Sequence, residues 1–151
     1  MACEIRLALE ADAEAISGVI LTALHESNAQ DYSPDITARV AGSFSPAGVR
    51  RFMSGRTVFV AIDDGSLVGT ASLDRTVVRT VFVSPSAQKR GIGASLMAAI
   101  EQAARTAGMA TLSIPSSITA QGFYEKLGFN AVGESFHGDE RTILMERSLT
   151  P

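Results

Sequence analysis

Three β-branched runs separated by two tight turns fill Thr57 to Val83, and this stretch constrains the fold more than any other. Thr57 to Ile62 leads into Asp63-Asp64-Gly65, a hairpin turn, and Leu67 to Leu73 returns. Asp74-Arg75 turns the chain again, and Thr76 to Val83 runs on until Pro85 stops it. Strands joined this closely must pair antiparallel, because a parallel crossover needs about a dozen residues or more. The middle of the chain is therefore an antiparallel meander.

Helical periodicity dominates the flanks. Ile5 to Leu9 reads as a first strand, and Asp12 as the N-cap of a helix with Ala15, Ile16, Val19, Ile20, Ala23 and Leu24 on one face. That helix ends near Ser27-Asn28. Pro34-Asp35 and Pro46 each start a short helix, through Val40 and Phe52. Beyond the meander, Ile92, Leu96, Met97, Ala99, Ile100 and Ala103 predict a helix ending at Gly108. Ala110 to Ile114 is a strand, Ser117 to Leu127 a helix ending at Gly128, and Ala131 to Phe136 and Thr142 to Leu149 are strands. The order β-α-α-β-β-β-α-β-α-β-β predicts an α/β sandwich with a mixed sheet. A length of 151 residues suits one domain over 1–151.

Composition narrows the function. Thirteen Lys and Arg against 16 Asp and Glu give a net charge of −3, so no general basic field exists to hold nucleic acid. One cysteine, Cys3, excludes an internal disulfide and any metal site built from several thiolates, and no metal is expected. Glu4 and Arg6 interrupt the first apolar segment, which therefore does not read as a signal peptide. No apolar run approaches the roughly 20 residues of a membrane span. A cytoplasmic location follows as the expectation.

The informative turn is Gln88-Lys89-Arg90-Gly91-Ile92-Gly93-Ala94-Ser95, between a strand and a helix. Glycines let backbone approach a ligand closely, the first helical turn points unpaired N–H groups outward, and Lys89 and Arg90 add positive charge. These are the parts of an anion cradle. A Walker A loop would end Gly-Lys-Ser/Thr, and this one ends Gly-Ala-Ser. A dinucleotide loop would place a third glycine where Leu96 stands, after a strand of a parallel unit. Neither fits.

The pattern Q/R-x-x-G-x-G/A, met by Gln88, Gly91 and Gly93, resembles the coenzyme A pyrophosphate loop of the GNAT acetyltransferases. Upstream, Val81-Phe82-Val83-Ser84-Pro85 is similar to that family's fourth strand and following turn. Downstream, Ala120 and Gly122-Phe123-Tyr124-Glu125-Lys126-Leu127-Gly128-Phe129 resemble its A-x-x-F-Y-x-K-x-G-F segment. The resemblance implies a mixed, mostly antiparallel sheet of about seven strands flanked by four helices. It also implies that the fourth strand splays from the fifth to admit the pantetheine arm of acetyl-CoA, the cosubstrate. Backbone groups of Val81, Phe82 and Val83 would line that arm, and Lys89, Arg90, Gly91, Ile92, Gly93, Ala94 and Ser95 would hold the pyrophosphate. Tyr124 would sit near the sulfur and donate to the departing thiolate. Where many members carry Asn, this chain has Ser117, and either Ser116 or Ser117 would make that contact.

The acceptor side is less defined. Members often place a glutamate on the fourth strand, whereas Thr76 to Val83 offers only Arg79 as a charge. Arg79 facing the cleft would lower the pKa of a neighbouring ammonium. Candidates to take the acceptor's proton are His25, Glu26, Glu134, His137, Asp139 and Glu140, with His137 preferred, and Tyr32 is a candidate to line the cleft. The implied function is acetyl transfer from acetyl-CoA to a primary amine, on a small molecule for preference. A protein N-terminus or lysine is the alternative acceptor, and an acyl-CoA sensor without turnover the alternative function. The acidic balance favours a cationic acceptor, and a homodimer is left open.

Overall fold

A computed structural model describes residues 3–26, 33–88, 90–138 and 140–149. Seven strands form one sheet: β1 (Cys3–Leu7), β2 (Thr57–Asp63), β3 (Ser66–Asp74), β4 (Val77–Val83), β5 (Thr111–Ser116), β6 (Asn130–His137) and β7 (Glu140–Ser148). Their spatial order is β1-β2-β3-β4-β5-β7-β6, antiparallel throughout except for β4 beside β5. The meander is the β2-β3-β4 core of this sheet. Asp64 and Gly65 turn the first hairpin with φ of 52° and 82°, the left-handed pair that suits a two-residue connection.

The helices are α1 (Ala13–Glu26), α2 (Pro34–Ala41), α3 (Pro46–Met53), α4 (Ile92–Thr106) and α5 (Gln121–Lys126). Among the described residues the count is five, against the four that the resemblance implied, and the two short helices start at Pro34 and Pro46 as the sequence reading expected. Ser33 caps α2 by accepting from Ile36 N–H, and Ser45 caps α3 by accepting from Gly48 N–H. Two cores result, one on each face of the sheet. Ile16, Ile20 and Leu24 of α1 pack with Val49 of α3 on Val58 and Val60. Leu96, Met97 and Ile100 of α4 pack on Ala61, Ala71, Leu112 and Ile114. Strand alternation divides β2 between them, with Val58 and Val60 to one face and Ala61 to the other.

Three of the differences from the sequence reading have a visible cause; β6 and β7 differ from it by one or two residues at their ends. The first strand is Cys3–Leu7, not Ile5 to Leu9, and Leu9 N–H instead bonds the Asp12 carboxylate at 2.7 Å. Asp12 does precede α1, but its carboxylate reaches back to Leu9 and Arg6 rather than forward into the helix. The helix expected from Ser117 begins only at Gln121, because Ala120 N–H is held by Ser117 Oγ at 3.2 Å in a preceding turn.

The Arg6 guanidinium, 2.9 Å from Asp12, and the Leu9 N–H hold the Asp12 carboxyl below the usual carboxylate range. A depressed folded-state pKa means this stabilisation is complete above the unfolded value of about 3.9 and is lost as pH falls below it. Asp12→Asn should therefore cost about 1–2 kcal/mol in urea unfolding at pH 7, with the difference from wild type shrinking toward zero below about pH 3. A deficit independent of pH would show that the charge is not what matters.

Candidate active site

β4 and β5 part after a single step. Ser113 N–H donates to Thr76 C=O at 2.9 Å, and Val77 opposite Ser113 is the one register pair between these strands. Two residues further, where β5 would next donate to β4, stands Pro115, which has no N–H. β4 changes register at the same level. Thr70 faces Phe82 while Ser72 faces Arg79, so Thr80 and Val81 together oppose Ala71. Thr80 takes φ of 57°, a left-handed conformation unfavourable to a β-branched residue. The bulge reverses the faces: Val78 belongs to the α4 core, but Phe82 packs with the α1 core.

The diverging strands leave a cavity of about 310 Å³ lined by Val81, Phe82, Val83, Gln88, Ser117 and Tyr124 among others. Ser84 N–H donates to Val68 C=O on β3, so alternation turns the backbone groups of Val83 and Val81 toward β5. The Val83 carbonyl accepts from Gln88 Nε2 at 3.1 Å, which ties the glycine turn to the end of β4. A carbonyl has a second lone pair, so Val83 can accept another donor.

Within the turn the two glycines have different reasons. Gly91 caps α4 with φ of 81° and has open space where a Cβ would stand. Gly93 is closely packed: a Cβ there would lie 3.0 Å from the Phe123 ring, which would have to shift by a few tenths of an ångström. The sequence reading gave both glycines one reason, close approach of a ligand; the structure adds a second at Gly93, the nearness of the Phe123 ring. The side chain of Ile92 is buried in the core, and Ser95 N–H closes the first helical bond to Gly91 C=O. The N–H groups of Ile92, Gly93 and Ala94 have no carbonyl one turn back. Arg90 lies 2.8 Å from the Asp63 carboxylate, so its charge is matched within the protein. Lys89 falls outside the described residues.

Both serines adjoin the cavity. Ser116 is buried and donates to the Ser117 carbonyl at 2.8 Å, whereas Ser117 Oγ accepts from Ala120 N–H and keeps its own proton for donation. His25 is exposed at the end of α1 and is not among the cavity-lining residues. Glu26 is likewise exposed, and Glu134 pairs with Arg141 at 2.6 Å. Tyr32 and Asp139 lie outside the described residues, and His137 is described only by its backbone at the end of β6. Among the described candidates for the acceptor's proton, Glu140 alone lines the cavity, 3.3 Å from Arg39. Sequence reasoning passed over Pro115, Thr37 and Arg56. Thr37 is buried against the cavity with no hydrogen-bond partner for Oγ1 among the described residues. A proline inside an otherwise regular strand was the available signal for the first; nothing local marks the other two. No cluster of three or more His, Cys, Asp or Glu able to hold a metal is present among the described residues. No described helix is long and apolar enough to cross a membrane.

Tyr124 is fixed by the way α5 ends. Gly128, with φ of 95°, sends its N–H to Glu125 C=O, and Phe129 N–H returns to Tyr124 C=O. The Phe129 and Phe123 rings meet the Tyr124 ring edge-on, at 5.9 and 5.1 Å between centroids. Burial pushes the phenol well above its ordinary value of about 10. In a Tyr32→Phe background, absorbance at 295 nm should show no phenolate up to pH 11 while the fold persists. Titration near pH 10 would mean that Tyr124 is solvated.

The sequence model for the acetyltransferase (GNAT) domain matches residues 28–145. No curated protein matches the chain. Among solved structures, a GCN5-related N-acetyltransferase from Rhodopseudomonas palustris is 25% identical, with a TM-score of 0.91 over 98% of this chain and 96% of that one. PaiA N-acetyltransferase from Thermoplasma acidophilum, solved with coenzyme A, is 18% identical with a TM-score of 0.83, over 98% of this chain and 99% of that one. YncA from Salmonella typhimurium, solved with its cofactor acetyl-CoA, is 24% identical with a TM-score of 0.69, over 99% and 95%. With the family match spanning most of its length and the fold shared across nearly all of it, the chain belongs to the GNAT acetyltransferases, a family of acyltransferases.

Proposed function

We propose that the protein moves an acetyl group from acetyl-CoA to a primary amine of a small molecule, by direct attack in a ternary complex. The observation that carries this reading is the β4–β5 opening, which brings Val81, Val83, Ser117 and Tyr124 around one cavity beside the glycine turn. Backbone groups of Val81 and Val83 complete their hydrogen bonds with the amides of the coenzyme arm, as a strand added to an open edge. The N–H groups of the first turn of α4 receive the pyrophosphate, a gain of about 0.3–1 kcal/mol from the helix dipole alone.

Tyr124 works as a hydrogen-bond donor to the leaving sulfur. A thiol titrates near 8.5 and an ordinary phenol near 10, so full transfer to thiolate is uphill by about 2 kcal/mol even before burial raises the phenol further. The acceptor's own proton is the larger obstacle. An ammonium of pKa about 10.4 is neutral roughly once in 2,500 molecules at pH 7, equivalent to about 4.6 kcal/mol. Glu140, which lines the cavity, is the group in reach to relay that proton to water. Arg79 lines the adjoining cleft, where Asp74 at 3.3 Å matches its charge.

Release of coenzyme A thiol from acetyl-CoA with a panel of primary amines tests the reading; coenzyme binding without release would select a sensor instead. Tyr124→Phe should lower kcat about 10²–10⁴-fold with coenzyme affinity nearly unchanged, and a variant with wild-type kcat removes the hydroxyl from the mechanism. Glu140→Gln should lower kcat/KM at pH 7 by about tenfold or more, and the deficit should close toward pH 10 as the free amine becomes abundant. A deficit constant with pH would assign Glu140 to structure alone.

A further inference from the structure

An open cleft of about 760 Å³ adjoins the cavity, and the two share Phe44, Thr80, Pro115, Glu140 and Thr142. Its charged lining is Arg51, Arg56, Arg79 and Glu140, a positive surface on a chain whose net charge is −3. The arginines differ. Arg79 is paired with Asp74 at 3.3 Å, and the acid Glu140 is paired with Arg39. Arg56 has no carboxylate within ion-pair distance among the described residues.

Arg56 is nonetheless firmly held. Its Nη1 donates to Ser72 Oγ at 3.3 Å and to Thr80 Oγ1 at 3.1 Å, and its guanidinium lies 4.6 Å above the Phe52 ring. Neutral hydroxyls and a ring fix its orientation without neutralising it. Burial first and the nearby Arg79 second disfavour the charge, Asp74 favours it from beyond bonding distance, and an arginine stays protonated in protein. A half-buried cation on a cleft wall, with no carboxylate bonded to it among the described residues, has remaining donors suited to a planar or tetrahedral oxyanion.

Resting on the acetyl-transfer reading, we infer that the amine acceptor carries an oxyanion, a carboxylate or a phosphate, and that Arg56 is the residue that recognises it. The acceptor is then charged at both ends. Its ammonium faces Glu140 at the mouth of the cavity, and its anion meets Arg56 further along the same cleft. Polycationic amines are disfavoured, because three arginines line the surface they would have to cover. The expectation of a cationic acceptor, drawn from net charge, is replaced by one drawn from where the charges sit.

The test compares matched acceptors by thiol release: an amino acid and its primary amide, phosphoethanolamine and ethanolamine, and the triamine spermidine. Rates are referred to the unprotonated amine, since neutralising a carboxylate also lowers the neighbouring ammonium pKa. The oxyanion-bearing member of at least one pair should have a kcat/KM at least about tenfold higher, and which pair responds separates carboxylate from phosphate. In Arg56→Gln that ratio should fall toward one, and Arg56→Lys should restore part of it; the ratio is read at saturating acetyl-CoA, so that a change at the Thr80 bulge does not enter it. A ratio unchanged in Arg56→Gln, or a preference for spermidine, overturns the inference and leaves acetyl transfer standing. No release from any amine, with coenzyme bound, removes acetyl transfer and this inference together. Should Arg56→Gln not fold, the wild-type protein still decides: an amine-free carboxylate or phosphate of the same shape must compete with the acceptor, and failure to compete overturns the inference.

Discussion

Beyond Ser113, β5 has no N–H to offer β4, and the site depends on that interruption. Pro115 removes the donor from one side of the gap, and the bulge at Thr80 and Val81 bends the other strand away. A buried sheet that stops pairing exposes backbone groups whose loss of partners costs about 1–3 kcal/mol each unless something else bonds them. The opening is affordable because β3 and β7 hold the outer sides of β4 and β5 in long ladders. Under the proposed function the amides of the coenzyme arm supply the partners that the strand lost.

The same bulge connects the two halves of the site. It sends Phe82 toward α1 and Val81 and Val83 toward the α4 side. It also turns the Thr80 hydroxyl to Arg56, a residue 24 positions away. Left-handed backbone at a β-branched residue costs about 1–3 kcal/mol and persists only where the surroundings hold it. Here Arg56 bonds both Thr80 and Ser72, and Ser72 Oγ donates to the Arg79 carbonyl. One guanidinium thus bonds the bulge beside the β4–β5 opening and also lines the adjoining cleft. On the opposite wall, the return of Phe129 N–H to the Tyr124 carbonyl and the ring contacts fix the tyrosine.

Much of the fold was legible because it is encoded locally. Alternation and turn residues locate the meander, Gly108 and Gly128 end their helices, and Ser-Pro pairs start α2 and α3. The glycine turn and Tyr124 were legible as a motif. What could not be read depends on long-range pairing. No local pattern says that Arg56 will meet Ser72 and Thr80, or that Gly93 is a glycine because Phe123 crosses it. The start of α5 was misplaced because Ser117 makes a turn first, and helix propensity does not register that competition. Net charge says little about the acceptor, because a sum carries no position, and only the fold shows that three arginines and one glutamate share the cleft.

Amide hydrogen exchange with and without acetyl-CoA tests the central claim most directly. The account predicts that the N–H groups of Val81 and Val83, together with those of Ile92, Gly93 and Ala94 at the start of α4, become protected on binding, while the exposed edge of β6 is unchanged. Binding that leaves Val81 and Val83 exchanging as before, or that protects a different surface, would contradict it.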